Sequence, residues 1–291
     1  MRQRNVDRTI LVTGATGTQG GAVARHLLAE GLSVRGLTRN PGSANAQELA
    51  GLGAQMIAGD LRDPASLDRA LEGVQAVFSV QDFYAPGVGY AGEIEQGRNL
   101  AEAAKRATVD HFVQSTMAAT SDPGDVDHFR SKFEIERIVR ELGLAATFVG
   151  TAWFIDNVSN PKTGGAMTFP ALAGTLRRDT PFQVLSVDDL GRAVAAILMD
   201  PFRHKNERRD LASETTTVQR MKADYLAVTG RRAKRWWLPN IVLRRVAPEF
   251  AAQLRWHVSR GWTHGPDALR DLIGAPTTFK AYLAQHAEVV L

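Results

Sequence analysis

The chain has 291 residues, 44% of them hydrophobic and 23% charged, with a formal net charge of +4 and a pI near 9.6. Those values belong to an ordinary globular protein, long enough for one large domain or for one and a half sharing a core. Cysteine is absent, which excludes a disulfide framework, a thiol nucleophile and a thiolate metal site, and no metal is expected.

Thr9-Ile10-Leu11-Val12-Thr13 reads as a strand, Gly14-Ala15-Thr16-Gly17-Thr18-Gln19-Gly20 as a tight turn, and the apolar-periodic segment behind it as a helix. Gly14 can take backbone angles closed to residues with a Cβ, and Gly17 lets the main chain approach an anion. Gly20 lets the helix pack close to the strand. The free N–H groups and positive dipole end of that helix then face a pyrophosphate. A glycine triplet alone also fits an ordinary βα turn; the flanking strand and helix favour a dinucleotide site built by Gly14, Thr16, Gly17, Thr18, Gln19 and Gly20.

The second strand, near 33–38, ends at Arg39-Asn40-Pro41. An acid there would accept from the adenosine ribose hydroxyls of NAD, whereas the planar fork of an arginine suits a 2′-phosphate. NADP(H) is therefore expected over NAD(H), the alternative being an arginine in an exposed loop. Further strand-like runs fall near 55–58, 75–80, 109–115 and 145–150, with helical patterns between them. Spacings of about 20 to 35 residues are those of right-handed βαβ crossovers, hence an α/β fold of the Rossmann type, a doubly wound parallel sheet with helices on both faces. Gly31, Gly51, Gly53, Gly73 and Gly143 stand where those helices should end.

Ser79, Val80 and Gln81 close the fourth strand, where an open parallel sheet puts its ligands, and their backbone should run beside the nicotinamide-side ribose. Ser115 and Thr116 close the fifth similarly, either as cofactor contacts or as capped strand ends. In the next helix, residues 128, 132, 135, 139 and 142 recur on one stripe. Ile135, Val139 and Leu142 must face the core, so His128 and Lys132 share their face. A lysine on such a stripe needs an anion, a hydroxyl partner or an escape to water; ribose hydroxyls would satisfy it, and snorkelling to solvent is the alternative.

Beyond Gly150 the rhythm loosens into Asn160-Pro161-Lys162-Thr163-Gly164-Gly165, read as a loop. Val184 to Met199 then returns to strand and helix, with Asp188-Asp189 as a cap, and the remainder is mainly helical between prolines. Ala152 to Asn157, Phe169 and Phe182 form either an apolar pocket wall or a buried core patch. Basic clusters at 203–205, 208–209, 231–237 and 244–245 are interleaved with acids and carry no nucleic-acid motif, so a solvated surface is expected and no nucleic-acid partner. Trp236 and Trp237 read as packing residues of a small C-terminal lobe. No apolar h-region follows Met1-Arg2-Gln3-Arg4-Asn5, and no run of about 18 apolar residues occurs, so the expectation is a cytoplasmic chain without a membrane span.

Val12 to Gly20, Thr38-Arg39-Asn40-Pro41, Gly59-Asp60-Leu61 and Lys132-Phe133-Glu134-Ile135-Glu136 resemble the NmrA-like family of atypical short-chain dehydrogenase/reductases. Asp188-Asp189-Leu190-Gly191 and Val228-Thr229-Gly230-Arg231 resemble its later landmarks. The resemblance implies a Rossmann domain over 1–150, with a return segment near 184–200. It also implies a smaller, mainly helical substrate or partner domain over 151–183 and 201–291, closing a cleft over the nicotinamide. It implies that Asp60 and Leu61 frame the adenine, although Asp60 also suits a turn before Asp63-Pro64.

Ordinary short-chain dehydrogenases use Tyr-x-x-x-Lys; here the spacing reads His128-Phe129-Arg130-Ser131-Lys132, without the tyrosine. His128 is then a candidate acid or base near neutral pH, or a helix cap, and Lys132 a candidate to polarise a substrate oxygen. Tyr84 and Tyr90 lie in a glycine-rich stretch nearby. Two function classes follow. One is an NADP(H)-dependent oxidoreductase reducing a small apolar or aromatic carbonyl, quinone or enone. The other is a non-catalytic NADP(H)-sensing regulator that binds a protein partner. A sugar-nucleotide epimerase lacks its tyrosine here.

Overall fold

A computed structural model describes residues 8–118, 123–159, 172, 176, 179–232, 245, 247–262 and 264–286. Phe169, Trp236, Trp237, Arg244 and the Asn160 to Gly165 loop lie outside the described residues. The chain divides into two compact units, one of Met1–Met117, Asp127–Gly150 and Leu190–Arg209, the other of Ala118–Val126, Thr151–Asp189 and Asp210–Leu291.

The first unit alternates strand and helix: β1 (Thr9–Val12), α1 (Thr18–Ala29), β2 (Ser33–Thr38), α2 (Ala44–Gly51), β3 (Gln55–Ala58), α3 (Pro64–Leu71), β4 (Ala76–Ser79), α4 (Gly89–Arg106), β5 (His111–Met117), α5 (Asp127–Glu141) and β6 (Ala146–Thr151). These six strands lie where the alternation of apolar runs puts them. The sheet is parallel, with Ile10 beside both Val34 and Ala76, and Ala76 beside His111. Its order is 3-2-1-4-5-6 plus a seventh strand, so the chain reverses direction across the sheet between β1 and β4. β4, β5 and β6 are buried throughout, as strands covered on both faces must be. Leu11, Val77, Phe112 and Phe148 of the sheet pack with Leu100, Ala104, Ile135 and Val139 of α4 and α5 in one core. Each of the larger of these side chains contributes roughly 1.5–3 kcal/mol on burial.

Two glycines set helix spacing. A Cβ on Gly97 of α4 would lie 2.6 Å from Ile135 Cγ1, so these helices pack almost backbone to side chain. A Cβ on Gly191 would lie 2.9 Å from the Ala22 backbone of α1. Of the five glycines expected at helix ends, Gly31, Gly53, Gly73 and Gly143 have positive φ, whereas Gly51 is the last residue of α2.

After β6 come β7 (Trp153–Phe154), a 3₁₀ turn over Ile155–Val158, β8 (Phe182–Leu185), α6 (Val187–Met199), α7 (Pro201–His204), β9 (Arg208–Leu211), β10 (Glu214–Thr216), α8 (Val218–Thr229), α9 (Pro248–Ser259), α10 (Asp267–Ile273) and α11 (Phe279–Gln285). Two strands depart from the sequence reading. Arg208-Arg209, read as a surface basic cluster, begin β9, the seventh strand of the parallel sheet. Their apolar signal is weak because three of the four β9 residues are half-buried at the sheet edge. The strand near Val184 is β8, which pairs with β7 and antiparallel with β10 in a separate three-stranded sheet.

In the second unit, the first amides of α6 are taken by other residues than the expected cap: Val187 N–H donates to Asp156 Oδ2 and Asp188 N–H to Ser186 Oγ. Asp189, fully buried, instead accepts from Ser213 Oγ (2.6 Å), Thr277 N–H (2.6 Å) and Thr277 Oγ1 (3.0 Å). Replacing it leaves three donors without their acceptor, so Asp189→Ala should lower unfolding free energy by about 2–4 kcal/mol. Exposed Asp188→Ala should change it by less than about 1 kcal/mol. Denaturant unfolding of both variants checks the contrast.

Candidate functional site

The reversal between β1 and β4 opens a crevice at the carboxyl ends of the strands, where such sheets bind ligands. Thr13 sets its floor. The buried hydroxyl donates to Val80 O (2.9 Å) and accepts from Val80 N–H (2.8 Å), while Thr13 N–H donates to Phe78 O. Gly14 follows with φ +58°, an angle that favours glycine, and a Cβ there would lie 2.8 Å from Val80 Cγ1. A Cβ on Gly20 would lie 2.4 Å from the carbonyl oxygens of Thr13 and Gly14, so only glycine lets α1 start this close to β1. Gly17 caps α1 at φ −97°, open to any residue, and it donates no side-chain cap; the first turn holds no acid. The outer face of the turn is Gly14, Gly17 and Thr18, all exposed, with first-turn amides available to an anion. Thr16 O accepts from Asn45 Nδ2, and Gln19 Oε1 accepts from Ser115 Oγ at 2.7 Å, tying the turn to α2 and β5.

Arg39, just past β2, is exposed and makes no ion pair or side-chain hydrogen bond among the described residues. Asp60 serves the turn: Oδ1 accepts from Arg62 N–H (2.8 Å), and Ser66 Oγ holds its backbone. Leu61 is half-buried against the core. Ser79, Gln81 and Gln114 close a buried triangle. Ser79 Oγ donates to Gln114 Oε1 (2.7 Å), Gln114 Nε2 to Gln81 Oε1 (3.0 Å) and Gln81 Nε2 to Ser79 Oγ (2.8 Å). The side chains of Ser79 and Gln81 thus serve the β4–β5 seam, while the Val80 N–H and carbonyl are taken by the Thr13 hydroxyl. Thr116 Oγ1 donates to Glu136 (2.6 Å), which also receives Arg208 at 2.7 Å on both carboxylate oxygens.

Lys132 lies on the core stripe of α5, 5% exposed, and its anion comes from the protein. Nζ donates to Glu93 Oε1 of α4 at 2.7 Å, with Glu93 fully buried. Ser131 Oγ donates to the other oxygen of the same carboxylate. Burial alone would push the Glu93 carboxyl up, but the Lys132 charge, His128 and these two hydrogen bonds hold it below the usual range. Neither Glu93 nor Gln114 was singled out by sequence reading. The signal for Glu93 was available: residues 93, 97, 100 and 104 share an apolar stripe of α4, and an acid on it requires a cation. Gln114 sits in a seven-residue buried strand, where a lone amide also needs partners.

His128 packs among the rings of Phe83 (5.0 Å), Tyr84 (5.2 Å) and Phe129 (6.1 Å). Burial and the nearby Lys132 charge lower its pKa to about 4, so the ring is neutral at pH 7 and does not titrate in the range its sequence role presupposes. Tyr84 is 63% exposed, and the Tyr90 ring lies 5.1 Å from the Arg130 guanidinium. Phe182, Trp153 and Ile155 are buried core residues of the second unit, Phe182 packing on Trp153, His257 and Trp262. No group of three or more metal-ligating side chains occurs among the described residues.

A family model described as the NmrA-like family matches residues 6–259. The chain belongs to the NmrA-like family. An NmrA-like family domain-containing oxidoreductase of Aspergillus hancockii is 33% identical over 249 residues, 78% of this chain and 74% of that protein. An NAD(P)H azoreductase of Xenophilus azovorans is 38% identical over 149 residues, 51% of this chain and 49% of that one. Among solved structures, the Citrobacter sp. triphenylmethane reductase complexed with NADP(H) matches at a TM-score of 0.78 and 22% identity, covering 97% of this chain and 100% of that one. NmrA, a negative transcriptional regulator, in complex with NADP matches at 0.76 and 24%, covering 96% and 95%. At these identities the structural likeness shows the shared fold.

His128 makes this site sensitive to acid. The unfolded chain takes up a proton near pH 6.5 and the folded ring only near 4, so stability is fully present above about 6.5 and is lost as pH falls toward 4. The loss should reach about 3 kcal/mol for this one group. His128→Phe should remove its share of the loss and leave that of the buried His111 and His257, both with a pKa lowered by burial to about 3, read from unfolding midpoints between pH 7 and 4.

Proposed function

We propose that this protein is an NADP(H)-dependent reductase of a small apolar or aromatic acceptor, a carbonyl, quinone or enone. The broader class, a nicotinamide-nucleotide oxidoreductase, draws support from the oxidoreductase relatives across three quarters of their length. The observation that carries the reading is the turn at Gly14 to Gly20. Two of its glycines occupy positions that a Cβ would close, and its exposed face meets the start of a helix with no acid in its first turn. The residues present fit a dinucleotide: a bare main-chain cradle for the pyrophosphate, an unengaged Arg39 for a 2′-phosphate, and a buried ammonium at Lys132 for ribose hydroxyls or the acceptor oxygen.

When bound, NADPH supplies the hydride. The chain's own residues bind and orient. Thr18 and the first amides of α1 hold the phosphates, Asp60 and Leu61 border the adenine, and Ser79 to Gln81 present backbone beside the nicotinamide-side ribose. Lys132 stabilises negative charge on the acceptor oxygen as it develops. His128, neutral and enclosed by aromatic rings, shapes the pocket beside Lys132 and does not supply the proton at neutral pH. The small-molecule partner agrees with an azoreductase and a triphenylmethane reductase among the similar proteins, whose names describe aromatic acceptors.

One observation favours the second reading, a non-catalytic NADP(H)-sensing regulator: the tyrosine of Tyr-x-x-x-Lys is replaced by His128. No helix among the described residues is long and apolar enough to cross a membrane. Oxidation of NADPH with a panel of quinones, enones and azo dyes separates the two readings, since the regulator binds the cofactor and oxidises none.

Cofactor choice tests Arg39. NADPH should bind more tightly than NADH by about 1.5–3 kcal/mol, the scale of charge-assisted hydrogen bonds to a phosphate. Arg39→Asp should erase or reverse that order in calorimetric titrations. Equal affinities in the unaltered protein would remove Arg39 from the site.

A further inference from the structure

Among the described ion pairs, that of Lys132 and Glu93 differs from the rest. Arg25–Glu48, Arg106–Asp68 and Arg137–Glu141 lie on the surface with both side chains 48–60% exposed, where such pairs contribute little. Lys132 and Glu93 are 6% and 0% exposed, and no other described ion pair has both partners below a tenth. A buried pair is rarely more stabilising than two apolar side chains of the same size, because both ions lose their water. Its presence therefore calls for a reason other than stability.

The surroundings supply one. Gly97, one turn beyond Glu93, brings α4 against Ile135 of α5 and so shortens the span between the two charged side chains. Ser131 occupies the second carboxylate oxygen, which fixes the rotation of the Glu93 side chain. An ammonium has three N–H donors, and Lys132 makes only the bond to Glu93 among the described residues. Two donors of a buried cation are thus uncommitted, one residue from the Ser131 hydroxyl that locks its counterion.

We infer that Glu93 is a positioning residue: together with Ser131 it holds the Lys132 ammonium in one place, with one remaining donor directed at the bound nucleotide and the other left for the acceptor. The inference rests on the proposed reading that the crevice takes NADP(H). Glu93 touches neither nucleotide nor acceptor, and acts through Lys132 alone. Removing its charge leaves the lysine in place but unfixed, which should weaken nucleotide binding as much as removing the lysine itself.

Calorimetric titration of the protein with NADPH tests this without an acceptor substrate. Glu93→Gln keeps the shape and the Ser131 partner. It should raise Kd about tenfold, as should Lys132→Met, in keeping with loss of one charged hydrogen bond. The double variant should bind no worse than either single one, because the pair acts as a unit. Its melting temperature should recover what the singles lose, since neither charge is left unpaired. A Kd for Glu93→Gln within about twofold of the unaltered protein, beside a lowered melting temperature, would make the pair purely structural and overturn the inference. So would weakening confined to Lys132→Met. Should Glu93→Gln not fold, Ser131→Ala decides: both charges stay, the carboxylate is released, and a Kd raised by about threefold or more is expected, with an unchanged value overturning the inference. Unaltered protein that binds no NADPH refutes the proposed function itself, a result distinct from all of these.

Discussion

The threonine at the end of β1 joins the sheet to the site. With β1 and β4 adjacent and the chain reversing between them, two strand ends must be held level for a turn to rise between them. Thr13 does so with one hydroxyl, donating to and accepting from the backbone of Val80. Gly14 can turn there because it lacks the Cβ that would lie 2.8 Å from Val80 Cγ1, and Gly20 brings α1 down onto the carbonyls of Thr13 and Gly14. The nucleotide cradle is therefore a consequence of sheet order and close packing, with side chains of the turn contributing little. Its exposed edge is main chain, which suits an anion and does not discriminate between nucleotides. In the proposed reading, discrimination falls to Arg39 at the neighbouring strand end.

Polar groups around this crevice are distributed by burial. Where the sheet is covered on both faces, hydrogen-bonding side chains are closed on one another, as in the Ser79–Gln81–Gln114 triangle and the Thr116–Glu136–Arg208 chain. Such networks hold strand ends in register and leave few donors over. Lys132 is the exception. It is buried and paired with Glu93, with two N–H donors uncommitted among the described residues, and in the proposed reading a bound nucleotide takes these up.

Much of this was legible in the chain. The strand, glycine turn and helix at 9–29, the five further strands to residue 151, and the burial of Lys132 on the Ile135–Val139 stripe all follow from periodicity and glycine placement. What escaped were interactions between distant segments. Glu93 lies 39 residues from Lys132, and periodicity marks each on its own stripe without showing that the stripes meet. β9 was hidden because its arginines read as surface charge, while half-buried they reach Glu136 and Glu207 beside the sheet edge. His128 was legible as a titratable residue on an apolar face, but its ring of aromatic neighbours comes from the loop at 83–84, and only that enclosure reveals how strongly the imidazole resists protonation.

A dinucleotide bound as proposed lies across the carboxyl ends of β1, β2 and β4. Hydrogen–deuterium exchange with and without saturating NADPH tests this placement most directly. Slowed exchange is expected at the amides of 14–20, at 39–42 beyond β2 and at 81 beyond β4, with the amino ends of the same strands unchanged. Slowed exchange confined to other segments, or none at 14–20 under conditions where NADPH is bound, would contradict it.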